Sequence, residues 1–74
     1  MSFGISPSLL KHLKETYKKG TRVRLDHMED PQAPPAGTEG TVYFVDDIGS
    51  IHVHWDNGSS LAVVYGEDSC SIIH

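Results

Sequence analysis

The sequence predicts a mainly β fold, a small five-stranded barrel or strongly bent sheet with one N-terminal amphipathic α-helix. Three observations support this prediction. Apolar residues before Gly20 recur every three or four positions, as in a helix; those after Thr21 alternate with polar residues, as in half-buried strands; and turn residues separate the short apolar runs. Closing short strands into a barrel removes exposed edges. We expect one domain, with the helix in residues 1–20 packed on a barrel of residues 21–74.

The helix has clear start and stop signals. Ser6 is a suitable N-cap, Pro7 suits the first helical position, and Gly20 is expected to end the helix. The predicted apolar stripe consists of Leu9, Leu10, Leu13 and Tyr17. Lys11, Lys14 and Lys18 fall on the opposite face. Because a single short helix is unstable in water, we expect the stripe to cover strands that are apolar on both sides.

Five strands are predicted, around residues 21–26, 41–45, 51–56, 61–64 and 71–73. A proline-rich loop over residues 29–37 separates the first two. Asn57-Gly58 predicts a hairpin with a type I′ turn, which requires positive φ at both central residues. The aromatic residues Tyr43, Phe44, Trp55 and Tyr65 are interpreted as mostly core. Trp55 is expected to fill the barrel.

The charges are strongly segregated along the chain. Residues 1–24 hold all six Lys and Arg and one acid, a formal +5, whereas residues 25–74 hold nine acids and no Lys or Arg, a formal −9 with histidines neutral. The basic segment from Lys11 to Arg24 has three interpretations: it neutralises the acidic barrel, contacts phosphates, or forms a charged protein interface.

Composition sets the expected cellular setting. Cys70 is the single cysteine, so no internal disulfide can form, which suits a reducing compartment. Residues 1–20 lack the apolar core of a signal peptide, and no apolar run approaches the roughly 20 residues that span a bilayer. We therefore expect a cytoplasmic protein with no membrane partner. Homo-oligomerisation would be one way to strengthen so small a core.

The sequence gives little support for catalysis or metal binding. His52, His54 and Asp56 would point to one side of a strand, with the histidines about 7 Å apart, and we interpret them as a solvated strand face without a metal. Acidic neighbours of Cys70 disfavour the thiolate. A substrate pocket of a few hundred Å3 is not expected in so short a chain. The prediction is a non-enzyme, with no catalytic residues and no cofactor.

The pattern from Gly20 to Ile72 also resembles a known family. The residues that carry the resemblance are Gly20, Thr21, Val23, Leu25, Pro34, Pro35, Gly37, Thr38, Gly40, Thr41, Val42, Gly49, Ile51, His52, Val53, Trp55, Asp56, Gly58, Ser59, Leu61, Gly66 and Asp68. They are similar to short bacterial and phage proteins catalogued as domain-of-unknown-function family 4314. The resemblance implies an SH3-like β-barrel and a phage or mobile-element setting. It implies no activity, carries over no functional residue, and leaves the leading helix outside.

Taken together, these patterns predict a non-enzymatic protein-interaction module. It would be a phage or mobile-element accessory protein or inhibitor that acts on a basic or nucleic-acid-handling partner. The alternative is a weak RNA- or DNA-binding accessory protein that uses the basic segment over residues 11–24. The candidate partner-binding residues are Lys11, Lys14, Lys18, Arg22, Arg24, His52, His54 and Asp56.

Overall fold

Five antiparallel strands and one helix form the domain in a computed structural model, which describes residues 5–73. The elements are α1 (Pro7–Thr16), β1 (Arg22–His27), β2 (Glu39–Val45), β3 (Ser50–Trp55), β4 (Val63–Val64) and β5 (Ser69–Ile72). The strand order is β4-β3-β2-β1-β5, and all neighbours are antiparallel. The predicted mainly β fold with five strands and an N-terminal helix is confirmed.

The two edge strands of this sheet, β4 and β5, approach each other across a tight turn. The N–H groups of Glu67 and Asp68 both donate to the carbonyl oxygen of Val64, and Gly66 has a φ of +93°. An isolated bridge joins Tyr65 and Asp68. The sheet therefore curls until its edges meet at this turn, without a continuous ladder between β4 and β5 in the described residues.

The helix begins as predicted and ends earlier than predicted. The N–H of Leu9 donates to Oγ of Ser6 at 3.2 Å, so Ser6 is the N-cap. The last helical residue is Thr16, and Tyr17 is the C-cap. Gly20 has a φ of +96° but lies beyond the helix, where its N–H donates to β2. Gly20 is thus a turn residue leading into β1, and its prediction as the helix stop is wrong.

One apolar core fills the interior, and Trp55 belongs to it as predicted, with 3% of its surface exposed. Its indole Nε1–H donates to the carbonyl oxygen of Leu61 at 2.9 Å, so the buried polar atom has a partner. The buried apolar residues are Leu13, Val23, Leu25, Val42, Val45, Ile51, Val53, Trp55 and Val63.

The helix packs on the core rather than on the outside of the sheet. Leu13 is buried, and its Cδ1 would lie 3.5 Å from a Cβ added at Gly49, in the turn between β2 and β3. Phe44 on β2 and Val64 on β4 remain 45% and 38% exposed. The expectation that the helical stripe covers the outer faces of these strands is therefore wrong.

The hairpin at Asn57-Gly58 is present, but its turn is not of type I′. No residue other than glycine has positive φ within residues 5–73, so Asn57 cannot adopt the conformation that type I′ requires. Instead the N–H of Gly58 donates to the carbonyl oxygen of Trp55, and the N–H of Trp55 donates to that of Ser59. This is a three-residue loop with glycine (φ +94°) in the left-handed position.

A β-bulge in β2 decides which aromatic residues face outward. Val42 pairs with Val53, but the next pair joins Phe44, not Tyr43, to His52. The additional residue moves Phe44 to the outer face and leaves Val45 to pack inward. The interpretation of Tyr43 and Phe44 as core is therefore wrong, and Tyr65, 53% exposed, is not core either.

Candidate functional site

The outer surface of β2 and β3 holds a cluster of four rings, which we call the aromatic face: Tyr43, Phe44, His52 and His54. Tyr43 stacks on His54 with ring centroids 4.0 Å apart and an interplanar angle of 18°. Phe44 stacks on His52 at 4.2 Å and 6°. Tyr43 and Phe44 meet edge to face at 5.2 Å. Each ring is thus in contact with another ring of the cluster, although none belongs to the core.

The carboxylate of Asp46 fixes one end of the aromatic face. Its Oδ2 lies 2.8 Å from Nε2 of His52, and its Oδ1 accepts the backbone N–H groups of Ile48 and Ser50. Partial burial raises the pKa of Asp46, but these hydrogen bonds outweigh that effect and hold its pKa below the usual value. Because an ionised carboxylate can only accept, Nε2 of His52 carries the hydrogen, and the ring is held over Phe44.

A cluster of charged side chains borders the other end. The Arg22 guanidinium donates from both terminal nitrogens to Asp56, at 3.0 and 2.7 Å, and also to Glu39 and Thr41. Thr41 pairs in register with His54, which places this cluster next to the aromatic face. The hydrogen bonds from Arg22 lower the pKa of Asp56. Two predicted partner-binding residues, Arg22 and Asp56, are thus engaged with each other.

The other predicted basic residues lie at several places on the surface. Lys14 on the helix contacts Asp47 at 2.8 Å, in the turn after β2. Lys18 follows the end of the helix rather than lying on it, so only Lys11 and Lys14 share the helical face. Lys11, Lys18 and Arg24 are exposed and form no ion pair with the described residues. The basic segment is thus partly neutralised by acids of residues 25–74, through the contacts of Lys14 and Arg22.

The structure brings only His52 and His54, among the predicted residues, into the aromatic face. Sequence reasoning missed Tyr43 and Phe44. Adjacent aromatic residues in one strand cannot both face inward in a regular pleat, so the sequence does signal that one of them faces outward. The bulge that also directs Phe44 outward has no comparable signal in the sequence.

A pocket, distinct from the aromatic face, lies between the C-terminal end of the helix and the β4–β5 turn. This pocket has a volume of about 310 Å3 and is lined by Tyr17, Ile51, Val63, Tyr65, Gly66, Asp68, Ser69 and Cys70. The expectation that the chain has no room for a pocket of this size is wrong. Burial raises the pKa of Cys70 to about 11, with a further contribution from Asp26. The predicted disfavouring of the thiolate is confirmed, but its main cause is burial rather than the acidic neighbours in the sequence.

The two histidines of β3 do not form part of a metal-ligand set in the described residues. No group of three His, Cys, Asp or Glu side chains there has the geometry to hold a metal ion. Nε2 of His52 is used by Asp46, and Asp56 is held by Arg22. No helix within residues 5–73 is long and apolar enough to cross a membrane.

These features define a class of protein: a small antiparallel β domain with a capping helix and an ordered aromatic face. The chain belongs to the family described as Domain of unknown function (DUF4314), whose model matches residues 6–73. The match includes α1, so the expectation that the leading helix lies outside the family pattern is wrong. The comparisons with curated proteins and with solved structures give no match.

Proposed function

We propose that this protein is a non-enzymatic interaction module that binds another protein through the aromatic face. The observation that carries the proposal is that the bulge places Phe44 on the outer face beside Tyr43, with Phe44 45% exposed. Aromatic residues are enriched at protein interfaces and dominate their binding energy.

The order within the aromatic face supports this use. Stacking and the Asp46–His52 hydrogen bond already restrict the rings of Phe44 and His52. A partner that packs on them therefore loses little side-chain entropy, which otherwise opposes association by about 0.5–1.5 kcal/mol for each side chain that is immobilised. An ordered, exposed cluster of rings is a better anchor than the same rings on a mobile loop.

The charge distribution favours a basic partner. Residues 25–74 contain nine acids and no Lys or Arg, and two of the six basic residues, Lys14 and Arg22, are paired with those acids. A phage or mobile-element inhibitor that occupies the basic surface of a nucleic-acid-handling protein in the cytoplasm is the concrete form of this proposal. Its binding would weaken as salt screens the charges.

The test is affinity capture with tagged protein, nuclease treatment and two salt concentrations, using a pair of matched variants. Phe44 and Ile72 are both exposed strand residues, 45% and 44%, but only Phe44 belongs to the aromatic face. We expect the wild type to capture a discrete protein whose recovery survives nuclease treatment. Phe44→Thr should abolish this capture, and Ile72→Thr should retain it. Equal recovery with both variants would refute the role of the aromatic face.

Nucleic-acid binding is a second candidate, favoured by one specific observation. Two stacked ring pairs on an open sheet surface offer platforms on which bases can stack. Lys11, Lys18 and Arg24 form no ion pair with the described residues and could contact phosphates. Against it, the carboxylates of Asp46 and Glu39 border the same surface.

Titration of labelled single-stranded RNA and DNA separates the two candidates. Lys11→Glu and Lys18→Glu reverse two charges without breaking the Lys14–Asp47 contact. If the protein binds nucleic acid, this double variant should lose most of the affinity and flatten its dependence on salt. If the target is a protein, the same variant should still capture it, and the oligonucleotides should bind no more tightly than they do to an unrelated acidic protein.

A further inference from the structure

The pocket between the helix and the β4–β5 turn is separate from the aromatic face. Consecutive residues of β3 point to opposite sides, so Ile51 lines the pocket while His52 belongs to the aromatic face. Ile51 pairs in register with Val63, and both are 2% exposed. They form an apolar floor that the fold already holds in place.

The lining residues of the pocket include two tyrosines and an aspartate whose carboxylate is held by backbone hydrogen bonds. Tyr17 comes from the end of the helix and Tyr65 from the β4–β5 turn. Asp68 lies at the same turn, where its Oδ1 accepts the N–H of Glu29 and its Oδ2 accepts the N–H of Val64, both at 2.9 Å. Each oxygen keeps a second acceptor position, so the carboxylate is oriented and can still receive a donor.

The electrostatic character of the pocket is negative. No lysine, arginine or histidine is among its described lining residues, and Asp68 is one of them. Burial raises the pKa of both Tyr17 and Cys70, and the nearby carboxylate of Asp26 adds to both shifts. The π-faces of tyrosine rings attract cations, and the attraction is stronger where water is excluded.

We propose that this pocket binds an arginine side chain of a partner protein, stacked on the tyrosine rings and hydrogen-bonded to Asp68. A guanidinium is planar, stacks on aromatic rings, donates through a rigid fork and is more weakly hydrated than an ammonium group. The alkyl stem of arginine suits the apolar floor of Ile51 and Val63. The volume of about 310 Å3 lies at the lower end of ligand pockets, which suits one side chain rather than a large ligand.

The test uses N-acetyl-arginine methylamide as the probe and the citrulline analogue as its neutral match. Binding is followed from the backbone amide signals of Gly66, Ser69 and Cys70 by two-dimensional NMR. We expect saturable shifts at these amides with a dissociation constant on the order of millimolar, and at least tenfold weaker binding of the citrulline probe. The amides of Phe44 and His54 should not shift, which distinguishes this site from the aromatic face.

Two variants at one exposed position sharpen the test. Tyr65→Leu removes a ring, and we expect it to weaken arginine binding roughly fivefold, whereas Tyr65→Phe keeps the ring and should bind nearly as the wild type. Because Tyr65 is 53% exposed, both variants should fold, and their spectra verify this. Equal binding of the arginine and citrulline probes, tighter binding of a norleucine probe, or no shift up to about 50 mM arginine probe would each overturn the proposal.

Discussion

A substitution at Gly40 gives the sharpest test of the packing between β2 and β3. Gly40 pairs with Trp55 across the two strands, and its backbone has no unusual φ. A Cβ added there would lie 2.6 Å from Cγ1 of Val53, 2.8 Å from the carbonyl oxygen of His54 and 2.8 Å from Cε3 of Trp55. All three distances are below any real Cβ contact, and one of them is to backbone that the ladder holds in place.

The expected loss of stability for Gly40→Ala lies at the upper end of the overpacking range. Inserting a methyl group into a packed core costs about 1–3 kcal/mol, and Val53 and Trp55 are too deeply buried to move outward. We therefore expect a loss of about 3 kcal/mol. A domain of 74 residues has roughly 4–11 kcal/mol of stability in total, so this loss is large. Urea unfolding followed by the fluorescence of Trp55 measures it.

Gly58→Ala is the matched control, because it places the same methyl group in open space. Nothing lies within 4 Å of a Cβ at Gly58, but its φ of +94° disfavours any L-residue by about 1 kcal/mol. The effect of alanine on the unfolded chain is similar at both sites and cancels in the comparison. Equal losses for the two variants, or a Gly40→Ala protein within about 0.5 kcal/mol of the wild type, would refute the packing argument.

Three further predictions concern single side chains. Because folding lowers the pKa of Asp46 from 3.8, its stabilising contribution is present above that pH and is lost as pH falls through the folded pKa. The melting temperature should therefore fall less on acidification for Asp46→Asn than for the wild type. Parallel curves of melting temperature against pH for the two proteins would contradict this. With a pKa of about 11, Cys70 should react with iodoacetamide near pH 8 roughly a hundredfold more slowly than in the urea-unfolded chain; similar rates would exclude the buried, protonated thiol. Trp55→Phe leaves the carbonyl oxygen of Leu61 without its donor and should lower the free energy of unfolding by about 1–3 kcal/mol. Unfolding followed by circular dichroism measures this loss, and an unchanged unfolding midpoint would show that water replaces the indole as donor.

The elements of the fold were predictable because their signals are local. Ser6 and Pro7 marked the helix start correctly, since capping depends only on the adjacent turn. The alternation of Ile51, Val53 and Trp55 identified β3 correctly, because all three are buried. The end of the helix was predicted less well, because the C-cap Tyr17 takes a non-helical conformation before Gly20 is reached. The type I′ turn failed for a related reason, since Asn-Gly suits more than one hairpin loop.

The candidate sites were less predictable because they depend on how distant segments meet. The aromatic face exists because one additional residue in β2 changes the register against β3, and a bulge of this kind leaves no periodic signal. The pocket requires Tyr17 and Tyr65 to lie against the same floor, although 48 positions separate them in the sequence. The charge segregation along the chain did not predict that the guanidinium of Arg22 pairs with Asp56.

The two proposed binding features share one strand, and this has a consequence for how a partner could engage the protein. Ile51 and His52 are neighbours in β3 that face opposite sides, so one rigid partner surface cannot cover the pocket and the aromatic face together. A partner that uses both must reach around the domain with an extended, arginine-containing segment, and the two contacts would then act as linked sites. In that case Phe44→Thr and Tyr65→Leu should each weaken binding of the intact partner. Only Tyr65→Leu should weaken binding of the isolated arginine probe.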